Sequence, residues 1–285
     1  MGILIALIPA IAWGSIGLVS GKMGGNAYQQ TLGMTIGALF FGIGTLIVAR
    51  PTIDTNTWIF GIVSGLFWAL GQGNQFRSMK FMGVSMAVPM STGLQLVANA
   101  LAGALLFHEW KSGHDITLGL IAVVVLIIGA TLTSHRDKVA GGAASSHNMP
   151  AGIQALIIST IGYAGYTIVY TWAGLDATAV VLPQSIGMLA GAIVLSAKHN
   201  PIAKGTAKNI LTGIFWGVGN IFMLMATKDV GLAVAFSLSQ MGIVISTYGS
   251  IFLLGEHKTK REMVYVTVGS LLVIAGGVIF GIMKA

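Results

Sequence analysis

Long apolar runs in the sequence carry amide and hydroxyl side chains at helical spacing. Ser91, Gln95 and Asn99 stand four residues apart, which places them on one face of a helix. Gln72 and Gln75 share a second such face. Polar groups in hydrocarbon cost free energy unless they contact protein or a water-filled cavity. The spacing therefore predicts a polar pathway between helices, and interhelical hydrogen bonding is the alternative role of any one residue.

The chemistry that these residue types favour is recognition of a neutral polyol. Amide side chains donate and accept hydrogen bonds together, and flat aromatic rings pack against the C–H face of a sugar. A cationic substrate would favour an acid in the middle of an apolar run, but all 8 Asp and Glu residues lie near run ends or between runs. The candidate substrate-binding residues are Trp13, Gln72, Asn74, Gln75, Ser91, Gln95, Tyr163, Tyr166, Gln184, Trp216, Asn220, Ser239 and Gln240.

The composition indicates the kind of element that must position these side chains. Only 8% of the 285 residues are charged and 55% are hydrophobic, against roughly 25% charged in an average soluble domain. This excludes a soluble domain and a disordered chain. The Lys and Arg residues are scattered, so the net charge of +7 does not predict a nucleic-acid partner. The spans show neither a nucleophile–base pair nor a metal cluster, and the sequence predicts no enzyme and no cofactor. We expect a polytopic membrane protein.

The apolar runs are long enough for ten transmembrane helices, since crossing the hydrocarbon takes about 20 residues. The longest connection, residues 134–150, follows the fifth span and divides the chain into halves of five spans, 1–133 and 151–285. The predicted spans are 2–21, 31–49, 58–76, 82–107, 115–133, 151–172, 178–197, 208–227, 231–254 and 264–283. The fold class is therefore all-α, with ten membrane helices.

The two halves resemble each other in sequence. At an offset of 148, nine residues between Ile62 and Ser91 recur identically, among them Trp68 opposite Trp216 and Lys80 opposite Lys228. Because five is odd, the second half enters the membrane from the opposite side. Inverted repeats of this kind are characteristic of secondary transporters with a central site. A channel is the alternative, but the repeat favours alternating access.

Charge and glycine placement add two expectations. The loops after odd-numbered spans, counting Arg77 and Lys80 among them, hold 11 of the 15 Lys and Arg residues. This bias predicts that those loops are cytoplasmic and both termini outside. Glycines four residues apart, such as Gly33 and Gly37 or Gly213 and Gly217, predict close helix packing. Small side chains let helix backbones approach each other in a bilayer.

Several motifs resemble the bacterial glucose/ribose uptake porters of the drug/metabolite transporter superfamily. They are WGS (13–15), GLFWALGQGNQ (65–75), GVSMAVPMSTGLQL (83–96), QSIGM (184–188), GIFWGVGN (213–220), GLAVAFSLSQ (231–240) and LLGE (253–256). The resemblance runs over nearly the whole chain. It implies a multi-pass protein of the bacterial plasma membrane that takes up sugar, glucose first and ribose second, together with protons. The polar positions that match the family motifs are Gln72, Asn74, Gln75, Ser91, Gln95, Ser239 and Gln240.

Proton symport requires a group that titrates near the working pH. Glu109 and Glu256 correspond through the repeat and are gate or coupling candidates, or alternatively helix caps, and Asp176 is a third candidate. No span contains an obvious buried carboxylate, so facilitated diffusion is a live alternative. Export of another small neutral metabolite is a second. The expected partners are a sugar, protons and the lipid bilayer.

Overall fold

The computed structural model describes residues 2–135, 148–255 and 257–283, and within these ranges the chain is helical and has no strand. The helices are α1 (Gly2–Ile5), α2 (Leu7–Met23), α3 (Ala27–Ala49), α4 (Thr55–Met82), α5 (Val84–Leu101), α6 (Gly113–Thr133), α7 (Met149–Trp172), α8 (Val181–Ser196), α9 (Lys204–Lys208), α10 (Ile210–Val230), α11 (Leu232–Ser239), α12 (Ile243–Leu253) and α13 (Lys260–Met283). A π-helical turn (Ala102–Leu106) extends α5, and a 3₁₀ turn (Gln240–Gly242) joins α11 to α12.

Eight described segments are long and apolar enough to cross a membrane. They are Gly2–Met23, Ala27–Ala49, Met86–Leu106, Gly113–Thr133, Met149–Trp172, Lys204–Val230, Leu232–Leu253 and Lys260–Phe280. Of the two other predicted spans, α8 is only 16 residues long. The 28-residue α4 is long enough, but the amides of its GQGNQ segment lower its mean hydropathy. The candidate binding residues of the GQGNQ segment thus lower the mean hydropathy by which α4 would be identified as a membrane span.

The outer surface of the bundle is apolar, as a lipid-facing surface must be. Val48, Val194 and Leu105 expose 85%, 77% and 67% of their surface. A water-soluble monomer does not expose apolar side chains on this scale. Trp68 and Trp216 are instead among the largest fully buried side chains. The bundle therefore buries Trp68, Trp216 and many polar side chains, while aliphatic side chains dominate its outer surface.

The helices pack in pairs that join the first half of the chain to the second. In the interior, α4 packs against α7 and α8, while α10 packs against α2 and α3. Further out, α6 packs against α13. The offset of 148 exchanges the members of these pairs, since it carries α4 onto α10, α2 onto α7 and α3 onto α8. The interior is therefore built from contacts between the two halves.

Glycine permits the closest of these contacts, as the sequence predicts. A Cβ added at Gly37 of α3 would lie 1.9 Å from the carbonyl oxygen of Ile210, and one at Gly213 of α10 would lie 2.2 Å from that of Met34. Gly83 and Gly231, which correspond at the offset of 148, have φ of 81° and 83°. This left-handed backbone favours glycine and allows the sharp breaks that precede α5 and α11.

Three sequence-based boundaries were wrong. The predicted exit of the third span at residue 76 is too early, because α4 continues to Met82; Arg77 and Lys80 lie on its last turns instead of in a loop. The ninth span is not one continuous helix, since the 3₁₀ turn interrupts it at Gln240. The fourth span begins only after Gly83 and ends in a π-helical turn instead of continuing to residue 107 as an α-helix.

Candidate functional site

A central cavity lies between the two halves, bounded by α2, α4, α5, α7, α10, α11 and α12. It leaves about 720 Å³ free of protein atoms, and the centre of a water molecule can reach about 90 Å³ of that space. Its polar lining residues are Gln72, Gln75, Thr92, Gln95, Ser239, Gln240 and Ser246, and its aromatic ones are Trp13, Trp68, Tyr163, Tyr166, Trp216 and Phe236. None of the described residues that line it is charged.

The first polar wall is a cluster of two amides and one phenol. Gln72 and Gln75 stand three residues apart on α4, so both face the cavity. The hydroxyl of Tyr163 on α7 lies 2.7 Å from Oε1 of Gln72 and 3.0 Å from Oε1 of Gln75, and donates its hydrogen between them. Nε2 of Gln72 donates to Oε1 of Gln75 over 3.3 Å. Each amide keeps unused hydrogen-bonding capacity for a ligand.

The second polar wall joins α5 to the broken helix of the second half. Nε2 of Gln75 and Nε2 of Gln95 both donate to the hydroxyl of Ser91, over 3.0 and 2.7 Å. Thr92 donates to Oε1 of Gln240 over 3.2 Å, across the two halves. Gln240 reaches the cavity because the 3₁₀ turn begins at this residue. Ser91 itself lies behind the amides that it orients.

Three tryptophans form the aromatic wall. The rings of Trp68 and Trp216, which correspond through the offset of 148, meet edge to face with centroids 5.7 Å apart. Nε1 of Trp13 donates to the backbone oxygen of Trp216 over 3.3 Å. A Cβ at Gly219 would lie 2.2 Å from that same Nε1, so this glycine makes room for the Trp13 ring. Nε1 of Trp216 is buried and has no acceptor among the described residues.

Behind the cavity, four residues on four helices form a closed hydrogen-bonded ring. The hydroxyl of Tyr166 on α7 donates to Oδ1 of Asn220 on α10. Nδ2 of Asn220 donates to Oε1 of Gln184 over 2.8 Å, and Nε2 of Gln184 donates to the hydroxyl of Ser64 over 2.9 Å. Ser64 closes the ring by donating to the backbone oxygen of Tyr166 over 2.9 Å. Only Tyr166 lines the cavity; Gln184 and Asn220 are fully buried and hold it in place.

The structure places most, but not all, of the candidate residues around the cavity. Trp13, Gln72, Gln75, Gln95, Tyr163, Tyr166, Trp216, Ser239 and Gln240 line it. Ser91, Gln184 and Asn220 lie behind its walls. Asn74 faces another side of α4, where its Oδ1 accepts a hydrogen bond from Arg77 over 3.0 Å. The sequence reasoning did not select Trp68, Thr92, Phe236 or Ser246, although Trp68 shares a helical face with Gln72 and Thr92 follows a selected serine.

Glu109 and Asp176 do not line the cavity. Glu109 follows the π-helical turn and acts as a cap for α11: its two carboxylate oxygens accept from the backbone N–H groups of Leu232 over 2.7 Å and Ala233 over 3.0 Å. This agrees with the helix-cap alternative and joins the two halves. Glu256, its counterpart in the repeat, lies outside the described residues.

Asp176 lies in the loop between α7 and α8. The hydroxyl of Thr178, assisted by the backbone amides of Ala179 and Thr178 and by Lys228, lowers the pKa of Asp176 to about 2 against the opposing effect of partial burial. Its carboxylate lies 3.3 Å from Nζ of Lys228. A carboxyl group with this pKa stays ionised throughout the physiological range.

Among the described residues, no group of three or more His, Asp or Glu side chains could hold a metal ion.

Comparison with known proteins agrees with this architecture. The family model described as sugar transport protein matches residues 4–283. A Lactiplantibacillus plantarum protein named for sugar uptake is 62% identical over 100% of both chains, and an Enterococcus faecalis protein with the same name is 54% identical over 100% of both. A Bacillus cereus protein named for glucose uptake is 47% identical, also over 100% of both. One solved crystal structure shares the fold at a TM-score of 0.69 and 15% identity, covering 99% of this chain and 98% of that chain. The chain belongs to the sugar transport protein family and is a multi-pass bacterial membrane protein.

Proposed function

We propose that this protein is a secondary transporter that takes up a neutral monosaccharide through the central cavity by alternating access. Glucose is the first candidate substrate and ribose the second. The observation that carries the proposal is the lining of the cavity: amides, hydroxyls and aromatic rings from both halves of the chain, with no charged side chain among the described lining residues.

The chemistry of the lining suits a sugar because each sugar hydroxyl donates and accepts. Gln72 and Gln240 keep one donor and one acceptor position unused within the protein, and Gln75 keeps one N–H donor. The tryptophan wall offers flat apolar surface to the C–H face of a pyranose or furanose ring. The relatives named for sugar uptake and glucose uptake support the same substrate class and the inward direction.

Alternating access follows from two inverted halves, 1–133 and 151–285, joined by the linker 134–150. Helix pairs exchanged by the offset of 148 support this arrangement, as do the matching left-handed glycines Gly83 and Gly231. In this proposal α4 and α8 are the two membrane helices that complete a set of ten. Rocking one half against the other would open the cavity to one side of the membrane at a time.

Proton symport is the first candidate energy source, and Glu109 is a candidate coupling acid because its carboxylate bridges the halves. Facilitated diffusion is the second candidate. A specific observation favours it: the described lining of the cavity contains no carboxylate, and Asp176 has a pKa too low for a proton carrier.

Uptake by the purified protein in proteoliposomes tests the proposal. We expect saturable entry of labelled glucose, slower entry of ribose, and no entry into protein-free liposomes. An imposed inward proton gradient that drives accumulation above the outside concentration would establish symport, whereas equilibration without accumulation would establish facilitated diffusion. Absence of entry of either sugar under both conditions would refute the proposed substrate class.

A further inference from the structure

A second pocket lies at one end of the bundle, apart from the central cavity. It lies between the α2–α3 connection, the last turns of α4 and the loop after α8, and has a volume of about 320 Å³. Its lining residues are Asn26, Ala27, Tyr28, Arg77, Lys80, Phe81 and His199. No residue lines both this pocket and the central cavity. We call it the basic pocket.

The basic pocket carries positive charge without a carboxylate among its described lining residues. Arg77 and Lys80 stand three residues apart on α4, so their side chains leave the same face of the helix. His199 adds two ring nitrogens on the opposite side. The loops at this end are those with the Lys and Arg excess, which predicts that the pocket opens to the cytoplasm.

Neutral partners hold the Arg77 and Lys80 side chains and the His199 ring in place. The guanidinium of Arg77 donates to Oδ1 of Asn74 over 3.0 Å, which uses one of its five N–H donors. The ammonium of Lys80 donates to the backbone oxygen of Gly25 over 2.8 Å. The His199 ring stacks on Tyr28 with centroids 3.7 Å apart and planes within 6°. The donors are therefore oriented, while their charges stay uncompensated by these contacts.

The repeat supplies an internal comparison. Lys228, the counterpart of Lys80, pairs with Asp176. In the turn that precedes α8, Asp176 also accepts a hydrogen bond from the backbone N–H of Ala179. The first half has Asn26 in the same role, accepting from the backbone N–H of Gln29. At the offset of 148 the counterpart of Asp176 itself is Tyr28, so the first half has no acid at this position. At the position of Arg77 the second half has an uncharged methionine. At these two pairs of corresponding positions, the first half carries Arg77 and Lys80, whereas the second half carries Met225 and a lysine paired with Asp176.

We propose that the basic pocket binds a phosphate group. Arg and Lys side chains fixed side by side give a phosphate oxygen charge-assisted hydrogen bonds, and the histidine ring closes the other side. The phosphate can belong to a soluble anion or to the headgroup of an anionic lipid. An adjoining pocket shares Tyr28 and Arg77 with the basic pocket, and its other lining residues are Thr31, Gly73, Asn74, Ala192, Leu195 and Ser196.

Thermal unfolding of the detergent-purified full chain tests the proposal, with intrinsic tryptophan fluorescence as the readout. One arm adds inorganic phosphate against chloride at matched ionic strength. The other adds phosphatidylglycerol against phosphatidylcholine in mixed micelles. Ligand that binds the folded state raises the unfolding midpoint, and titration gives an apparent Kd. Stabilisation by phosphate identifies a soluble anion, whereas stabilisation by phosphatidylglycerol alone identifies a lipid headgroup, and both results support the site.

Matched variants locate the effect. We expect Lys80→Gln and Arg77→Gln each to raise the apparent Kd at least about tenfold, since each removes a charge-assisted hydrogen bond. Lys80→Arg keeps the charge and should bind within about threefold of the wild type, which controls for folding. Lys228→Gln removes the corresponding charge of the other half and should bind like the wild type. Wild-type protein that neither probe stabilises, or equal stabilisation of wild type, Lys80→Gln and Arg77→Gln, would overturn the proposal.

Discussion

Two glutamines of this protein have the same chemistry but different positions, and replacing each by leucine separates sugar binding from helix packing. Gln72 is 3% exposed and lines the central cavity, whereas Gln184 is 0% exposed and lies behind it in the four-residue ring. Leucine has a similar volume and no hydrogen-bonding group. We expect Gln72→Leu to weaken the apparent affinity for sugar, and Gln184→Leu to lower the stability of the fold.

The magnitudes follow from the hydrogen bonds of each amide. In Gln72, Oε1 accepts from Tyr163 and Nε2 donates once to Gln75, which leaves one acceptor site and one donor for a sugar. Two hydrogen bonds at about 0.5–1.5 kcal/mol each amount to about 1–3 kcal/mol, or roughly 5- to 150-fold in KM. The stability of Gln72→Leu should fall by less than about 1 kcal/mol, because the cavity can hydrate the phenol it leaves.

Gln184→Leu has the opposite profile. Its loss leaves a buried N–H of Asn220 without its acceptor and removes a donor from Ser64. An unsatisfied buried group costs about 1–3 kcal/mol, and measured interhelical hydrogen bonds in membranes reach about 1.7 kcal/mol. We expect the free energy of unfolding to fall by about 1–2 kcal/mol, with KM changing less than about threefold.

Labelled-glucose uptake in proteoliposomes gives KM, and denaturation in detergent micelles gives the unfolding free energy for the same preparations. An unchanged KM in Gln72→Leu would remove the central cavity as the sugar site. A KM that rises as much in Gln184→Leu as in Gln72→Leu would show that the ring, and not the cavity lining alone, determines affinity. Either result would refute the distinction drawn from the geometry.

Three further predictions concern packing and charge. Gly37→Ala should lower the unfolding free energy by about 1–3 kcal/mol, because the added Cβ would lie 1.9 Å from a backbone oxygen. Gly44→Ala on the same helix is the control: its Cβ meets nothing within 4 Å, so the unfolding free energy should not fall. Equal denaturation midpoints of the two variants would contradict this prediction. Asp176→Asn should leave the pH profile of uptake unchanged between about pH 5 and 8, because a pKa of about 2 keeps the carboxyl group ionised there. The stability that the ionised carboxylate contributes is lost only as pH falls from about 4 through 2. A shifted pH profile would contradict this prediction. Glu109→Gln should lower the unfolding free energy by about 1–2 kcal/mol, because an amide offers one acceptor to the two N–H groups that a carboxylate satisfies; a midpoint equal to the wild type would exclude the cap as a stabilising contact.

Helical spacing identified the cavity lining where the helix is continuous. Gln72 and Gln75 share a face of α4 in the sequence and line the cavity together in the structure. Spacing could not separate Gln184 and Asn220 from this lining, because contact with a neighbouring polar helix and contact with a wet cavity satisfy a buried amide equally well. Which of the two occurs depends on the neighbouring helix, and periodicity carries no information about that helix.

Helix ends and breaks were harder to predict than faces. Hydropathy ended the third span where Arg77 and Lys80 begin, but both residue types favour helix and α4 continues through them. The break at Gln240 has a tertiary cause: a Cβ at Gly242 would lie 2.3 Å from the backbone oxygen of Ala10, so α2 crosses very close to the turn. The sequence around Gln240 contains no proline that would have marked this position.

The proposed repeat makes the helix packing of the two halves similar, whereas the side chains that line the cavity differ between the halves. In the proposed alternating access, exchanged helix pairs such as α4 with α8 and α10 with α3 would provide related contacts in the two states. Substrate recognition has the opposite requirement, because a sugar has no two-fold symmetry. The chain meets it where the halves differ: the position of Gln75 in the first half is occupied in the second by Met223, which is fully buried. We therefore expect the glycines that repeat, such as Gly83 and Gly231, to serve the proposed motion, and amides without an amide counterpart, such as Gln75, to serve the proposed specificity.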